Sequence, residues 1–292
     1  MAVTATDVIR GQRTAHRPGR GRGRWGLRIA VAAVVVFVML PIYWMIATSL
    51  KTTAGVSAPS PQWFPHPLSV ESYITAFRDN DFARYILNSV IVSVAATAIV
   101  LVFGVLAGYA LGRLKMRGTF TIMVLLLMIS VFPAIALIAP LYLLLRDVGW
   151  LNSYQALIVP YAAINLPFAV WILRNYFIGI PKEMEETARI DGAGALRTVW
   201  SVVLPMALPG VFTAGIFAFT ACWTEFLMAL SFNSQNAFRT IPVGIALFGS
   251  PHVTPYGVLF AASTAAVVPI AILVFVFRRS VVSGLTSGAV KG

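Results

Sequence analysis

Residues 180–209 read IPKEMEETARIDGAGALRTVWSVVLPMALP, and they hold the only dense cluster of mixed charge in the chain: Lys182, Glu183, Glu185, Glu186, Arg189 and Asp191. The order of residue types spells a short helix. Pro181 suits a first turn, where a missing N–H is harmless, and the acids that follow complement the positive end of the helix dipole. Asp191-Gly192 then supplies a stop, because glycine readily takes the left-handed conformation after a last helical turn. A second helical segment is expected over Leu196–Val203, with Pro205 and Pro209 marking the start of a long apolar helix. Taken alone, this is an amphipathic helix-turn-helix, as readily a solvated loop as a docking element.

Its flanks fix the setting. The stretches Ile29–Leu50, Ile86–Gly112, Gly118–Leu145, Val148–Leu173, Thr198–Thr224 and Thr240–Phe277 contain no Asp, Glu, Lys or Arg. Each is long enough for a membrane helix, which needs about 20 apolar residues. The fold class expected is an all-α integral membrane protein with six transmembrane helices, near 29–49, 86–112, 120–145, 153–174, 208–232 and 256–277, and a cytoplasmic loop at 180–209. Composition agrees. Hydrophobic residues make up 59% of the chain and charged residues only 11%, against about 25% charged in soluble domains, and the mean hydropathy is +0.83.

Basic residues set the orientation. With the N-terminus inside, 17 of the 22 Lys and Arg fall on the cytoplasmic side, so the positive-inside rule puts both termini in the cytoplasm. Residues 1–26 are expected to form a disordered basic tail, with 27–292 as the transmembrane domain. The net charge of +12 and the run Arg17–Arg24 invite a nucleic-acid reading. No aromatic stacking platform accompanies it, and a basic tail beside a first span is an ordinary topology signal drawn to anionic lipid. The first apolar run is too long for a signal-peptide core of about 7–15 residues.

Catalytic chemistry finds little footing. No G-x-x-x-x-G-K-[ST] phosphate loop is present. His16, His66 and His252 stand far apart without metal-ligand partners, and Cys222, the only cysteine, reads as a small buried residue. Spans carry Pro41, Pro133, Pro140, Pro160, Pro167 and Pro269, each either a static kink or a break that moves. Gly104, Ala107, Gly108 and Ala110 would allow close helix packing. In the Lys51–Tyr85 connection, Ser69–Asp79 could form a short helix with Ser69 as its N-cap.

Residue order adds a resemblance. Glu186-Thr187-Ala188, three residues, Gly192, nine residues and Val202-Val203-Leu204-Pro205 follow the spacing of the EAA loop of bacterial ABC-importer permeases, with Thr187 and Val202 as small departures. Asp191-Gly192-Ala193 is similar to the D-G-A of the carbohydrate-importer branch. Trp223-Thr224-Glu225-Phe226 is similar to its W-N-E-F, with Thr224 in place of Asn. Gly284–Gly292 resembles its closing G-L-T-x-G-A-V-K-G. The likeness covers about residues 27–292, and the smaller permease of maltose- and trehalose-type importers is the branch it most resembles.

The resemblance implies a transport subunit of the bacterial inner membrane, not an enzyme, that moves a di- or oligosaccharide inward. It binds no cofactor itself, since ATP and Mg would be used by a partner ATPase. The implied partners are a second homologous permease, two ATPase subunits and an extracytoplasmic sugar-binding protein, besides membrane lipid and with no nucleic acid. Lys51–Tyr85 and Asn233–Pro255 face the binding protein's side. The implied ATPase-coupling residues are Glu185, Glu186, Thr187, Ala188, Asp191, Gly192, Ala193, Leu204 and Pro205, with Gly288, Ala289, Val290 and Lys291 as a C-terminal contact.

Glu225 is the one carboxylate inside an apolar span, and such groups are costly and often functional. It reads equally as a pathway group beside Trp223 and Phe226 or as a structural hydrogen-bond acceptor. For Trp223 and Phe226, core packing competes with stacking on sugar. A proton-coupled secondary transporter using Glu225, or a membrane-embedded enzyme, are the alternatives. The first usually needs more intramembrane ionisable groups, and the second lacks a metal or nucleophile constellation.

Overall fold

The structure, a computed structural model, describes residues 22–114, 116–249 and 254–286. Among these, every regular element is helical. In chain order they are α1 (Arg22–Ser49), α2 (Thr53–Val56), α3 (Glu71–Asp79), α4 (Phe82–Arg113), α5 (Thr119–Val131), α6 (Ala134–Asp147) and α7 (Gln155–Gly179). There follow α8 (Glu183–Ile190), α9 (Ala195–Thr198), a π-helical turn (Val199–Val203), α10 (Leu204–Thr224), α11 (Leu227–Phe232), a 3-10 turn (Asn236–Phe238), α12 (Ile241–Ala246) and α13 (Tyr256–Thr286). Among the described residues five helices are long and apolar enough to cross a membrane, or six if the bent pair α5–α6 is one span.

α4, α7 and α10 form the centre. Their mutual packing buries Val100, Val105, Tyr109, Leu173, Phe177 and Val203 toward the end that carries α8. Toward the other end, Val92, Leu157, Tyr161, Met228 and Phe232 make a second cluster. Close approach of α4 to α7 needs glycine. A Cβ on Gly108 would stand 3.0 Å from Cβ of Leu173 and 3.1 Å from the backbone nitrogen of Arg174. Gly104 faces the Leu173 side chain in the same way, so these small residues are used as the sequence suggested. In contrast, α1 runs beside α13 with its apolar side chains exposed until Ala47, Thr48 and Ser49. Such surface suits hydrocarbon or another subunit.

Two expected spans are broken. The run 120–145 is not one straight helix: α5 and α6 meet at 89°. Phe132 precedes Pro133 and adopts extended backbone at φ −63°, ψ 134°, because a residue before proline is disfavoured in the helical region. The run 208–232 divides at Glu225, whose ψ is 132°, although no proline is there. The segment expected over Leu196–Val203 ends in the π turn and runs on into α10 without a stop. A proline inside a regular α-helix clashes with the carbonyl four residues back, and the wider turn ahead of Pro205 relieves that crowding.

Smaller differences concern the outer connection. α3 starts at Glu71 with Val70 at the cap position, one residue later than expected, yet the Ser69 hydroxyl still accepts from the Glu71 N–H at 3.2 Å. Lys51 is buried, with its ammonium 4.1 Å from the Trp44 ring centroid, and burial lowers its pKa from the ordinary value.

Gly108→Leu is expected to wedge α4 from α7, at roughly 1–3 kcal/mol for overpacking, and to reduce the yield and melting temperature of the detergent-extracted protein. Gly179→Ala, where an added Cβ meets nothing within 4 Å, should leave both unchanged.

Candidate functional site

The segment after α7 is built as the sequence order suggests. α8 carries Glu183, Glu185 and Glu186 in its first turn. It closes in a Schellman arrangement: Gly192 N–H donates to Arg189 O at 3.0 Å, and Ala193 N–H donates to Ala188 O at 2.9 Å. Gly192 has φ +80° with nothing within 4 Å of an added Cβ. Its requirement is therefore conformational and not steric.

The two faces of α8 differ. Glu185 points inward and is buried. Its carboxylate lies 2.6 Å from Nε of Arg113 at the end of α4 and accepts from the Tyr109 hydroxyl at 3.0 Å. Nη2 of Arg113 also donates to Ile180 O at 2.6 Å. Both charged side chains of the pair are under one-tenth exposed. Ala188 lies on the same covered face. Met184, Glu186, Thr187 and Ile190 lie on the open face, and Ile190 is 85% exposed. Asp191 is exposed and Ala193 half-buried, while Leu204 and Pro205 begin α10 beyond the π turn. The nine residues grouped from sequence thus divide. Glu185 and Ala188 anchor the segment to the bundle, whereas Glu186, Thr187, Asp191 and Gly192 are free to meet another surface. The anchor Tyr109–Arg113 was not singled out from sequence, where Arg113 counted only as a topology charge. Its signal was there: a basic residue directly closing an apolar run.

At the other end of the bundle, Glu225 sits in the break between α10 and α11. Its carboxylate accepts from the Tyr161 hydroxyl of α7, from Met228 N–H at 2.8 Å and from Ala229 N–H at 3.1 Å. Three donors from two helices converge on one side chain, which satisfies N–H groups that the break would strand. Trp223 is buried, stacks on Phe219 and donates its indole N–H to Ala266 O at 3.1 Å. Phe226 packs against the outer core. The three residues considered for a pathway are therefore committed to the fabric of the bundle. Gly288, Ala289, Val290 and Lys291 lie outside the described residues.

An amide network missed by sequence reading ties down the segment that follows α11, in the connection between the fifth and sixth spans (the 5–6 connection, from Asn233). Buried Asn88 donates to Ala237 O and Arg239 O at 2.9 and 2.8 Å and accepts from the Tyr154 hydroxyl. Asn233 donates to Ser153 O at 3.1 Å. A lone amide inside an apolar run was the available signal.

Residues 100–287 match the family described as "Binding-protein-dependent transport system inner membrane component". The chain belongs to this family. It is a transport subunit, not an enzyme. Among similar proteins, the sulfoquinovosyl glycerol transport system permease protein SmoH of Agrobacterium fabrum is 42% identical, covering 90% of this chain and 93% of its own. The trehalose/maltose transport system permease protein MalG of Thermococcus litoralis is 36% identical over 91% and 96%. Among solved structures, a chain of a bacterial ABC transporter that imports the acidic polysaccharide alginate shares the fold, with a TM-score of 0.77 and 22% identity, covering 89% of this chain and 98% of that one. These likenesses make the chain an importer permease of the inner-membrane component type.

Replacing one member of the buried pair strands the other charge, at about 3–5 kcal/mol. Glu185→Leu alone should therefore destabilise more than Glu185→Leu combined with Arg113→Met. Hydrogen exchange of residues 183–192 reads the difference, with faster exchange in the single variant. Tyr161→Phe removes one donor from Glu225 and should cost about 1 kcal/mol, read as a lowered melting temperature.

Proposed function

We propose that this permease subunit moves a sugar, a di- or oligosaccharide, into the bacterial cytoplasm, with ATP hydrolysed by a separate ATPase subunit that docks on α8. The observation that carries the reading is the two-faced α8: one face is pinned to α4 through Glu185 and Arg113, while the other presents Met184, Glu186 and Ile190 outward. A short helix fixed at one face transmits a push as a rigid body. Its open face combines an apolar tip with charge, as a docking surface needs. The names of the similar proteins support the sugar class, since they concern trehalose/maltose, diacetylchitobiose and a sulfoquinovosyl glycerol.

The complete importer then contains a second, homologous permease, two ATPase subunits and an extracytoplasmic sugar-binding protein. The family description supports the last of these. So does a solved alginate transporter in complex with a pentasaccharide-bound periplasmic protein, which shares this fold with a TM-score of 0.61. Both termini lie in the cytoplasm, on the side of α8, and the amide-tied 5–6 connection with the Lys51–Tyr85 segment faces the binding protein. Nothing favours proton coupling through Glu225, whose oxygens serve as fixed acceptors for Tyr161 and α11.

Gly192→Val and Glu186→Lys should both insert normally, because neither side chain packs in a span, yet both should lose copurification of the ATPase subunit and sugar uptake. Gly192→Asn should retain more of both, since Asn tolerates the left-handed backbone. Normal assembly and transport in both Gly192→Val and Glu186→Lys would remove the coupling role. The purified chain alone should show no ATP turnover, measured as phosphate release.

A further inference from the structure

The exposed faces of the long helices are not alike. α4 turns out Leu87, Val94, Val102 and Phe103, α1 turns out Val34, Phe37 and Val38, and α13 turns out Ile272, Val274 and Phe275. These are wholly apolar surfaces of the kind that meet lipid. The open face of α7 and α10 is different. It carries Asn165, Phe168 and Trp171 at helical spacing on α7, and Phe217, Thr220 and Thr224 at helical spacing on α10. Phe168 joins the two rows. Its ring lies nearly parallel to Trp171, at 18° and 5.9 Å between centroids, and edge-on to Phe217 at 5.7 Å. All three rings are more than a third exposed.

A second observation bears on what covers this face. It runs up to Thr224, where α10 breaks and the backbone leaves the helical path at Glu225. Irregular backbone at membrane depth is tolerated only where it is covered by protein or lines a water-filled cavity. Amide and hydroxyl groups are likewise costly against lipid unless they find partners, and the Thr224 hydroxyl donates to Thr220 O at 2.8 Å. The amide of half-buried Asn165 donates to Tyr161 O at 2.8 Å and toward Sγ of Cys222 at 3.8 Å, which leaves its carbonyl oxygen as an acceptor.

Resting on the sugar-import reading above, we propose that this face of α7 and α10 lines the passage and holds a saccharide ring in transit. The C–H face of the ring lies on Phe168 and Trp171, and its hydroxyls meet Asn165, Thr220 and Thr224. Sugars present this pairing of chemistries, an apolar face rimmed by hydroxyls that must stay hydrogen-bonded on leaving water. The shallow, open geometry suits a passage, which must release what it binds. Trp223 and Phe226, the aromatics that stand nearest Glu225 in sequence, are packed into the core and leave this role to the α7 pair.

The test uses the assembled importer in proteoliposomes, in a Cys222→Ser background, with trehalose, maltose and diacetylchitobiose as probes. Asn165→Cys and Thr224→Cys should react with a charged, membrane-impermeant thiol reagent during the ATP cycle, and the imported sugar should slow the reaction severalfold. Val94→Cys, on the apolar face of α4, should not react. Trp171→Ala should raise the KM for uptake on the order of tenfold, with Trp171→Phe restoring most of it. No reaction at Asn165→Cys and Thr224→Cys at any stage would mean that a helix of the second permease covers the face, and would overturn the proposal. Reaction without slowing by sugar, or an unchanged KM in Trp171→Ala, would overturn it as well. Failure of the unmutated importer to take up any of the three sugars would overturn the sugar reading and this site together, whereas normal uptake with unprotected cysteines sinks the site alone.

Discussion

Gly108 lets the backbone of α4 lie directly against that of α7, with no room for a side chain between them. The consequences run in both directions along the pair. Toward one end, the close approach brings Tyr109 and Arg113 within reach of α8, so the buried carboxylate of Glu185 finds its partners. Toward the other, it brings Asn88 beside Tyr154 and the 5–6 connection. A wider spacing would leave Glu185 unpaired in a low-dielectric site, where an isolated charge is not tolerated. The packing and the polar anchors therefore stand together. The glycine determines the distance, and the ionic and amide contacts make that distance specific.

The same logic governs the breaks. A membrane helix satisfies its own backbone, so any interruption strands donors and acceptors. At Phe132-Pro133 the sequence itself enforces the interruption through proline. At Glu225 it does not, and a carboxylate substitutes for the missing carbonyl partners by accepting two N–H groups of α11. The hydroxyl of Tyr161 then ties the break to α7. An intramembrane acid is explained here by the geometry it stabilises, and its location beside an open polar face follows from the break it holds.

Much of the architecture was legible in the sequence because the relevant physics is local. Charge-free runs mark the long helices, and Asp191-Gly192 marks the end of α8, where the backbone takes the left-handed turn that glycine permits. Two features were not legible. Pro133 bends the third apolar run by 89°, and a proline in a span is compatible with a mild kink as well as a break, since packing decides which. The division of α8 into an anchored and an open face was also hidden. Glu185 and Glu186 are adjacent acids of like propensity, and only the position of Arg113, 72 residues earlier in the chain, tells which one turns inward. For Trp223 the residue type leaves core packing and a binding surface both open, and Ala266 of α13, which accepts its N–H, decides for the core.

This division of labour between neighbours matters for a moving assembly. A helix that must follow a partner's motion needs one face that never lets go and one that can be gripped. If both adjacent acids were exposed, α8 would be held to the bundle by little more than Ala188 and the chain on either side, and a push would be lost in bending those connections. Burying Glu185 against Arg113 joins α8 to the end of α4, and α4 in turn is packed without slack on α7. On the other side a π turn ahead of Pro205 makes the link to α10, and such turns are frequent at functional sites. Under the coupling proposed above, a push on α8 would enter α4 through Glu185 and Arg113 and α10 through the π turn. The two routes meet in the core that α4, α7 and α10 bury together, so the three helices would take up the push as one packed body.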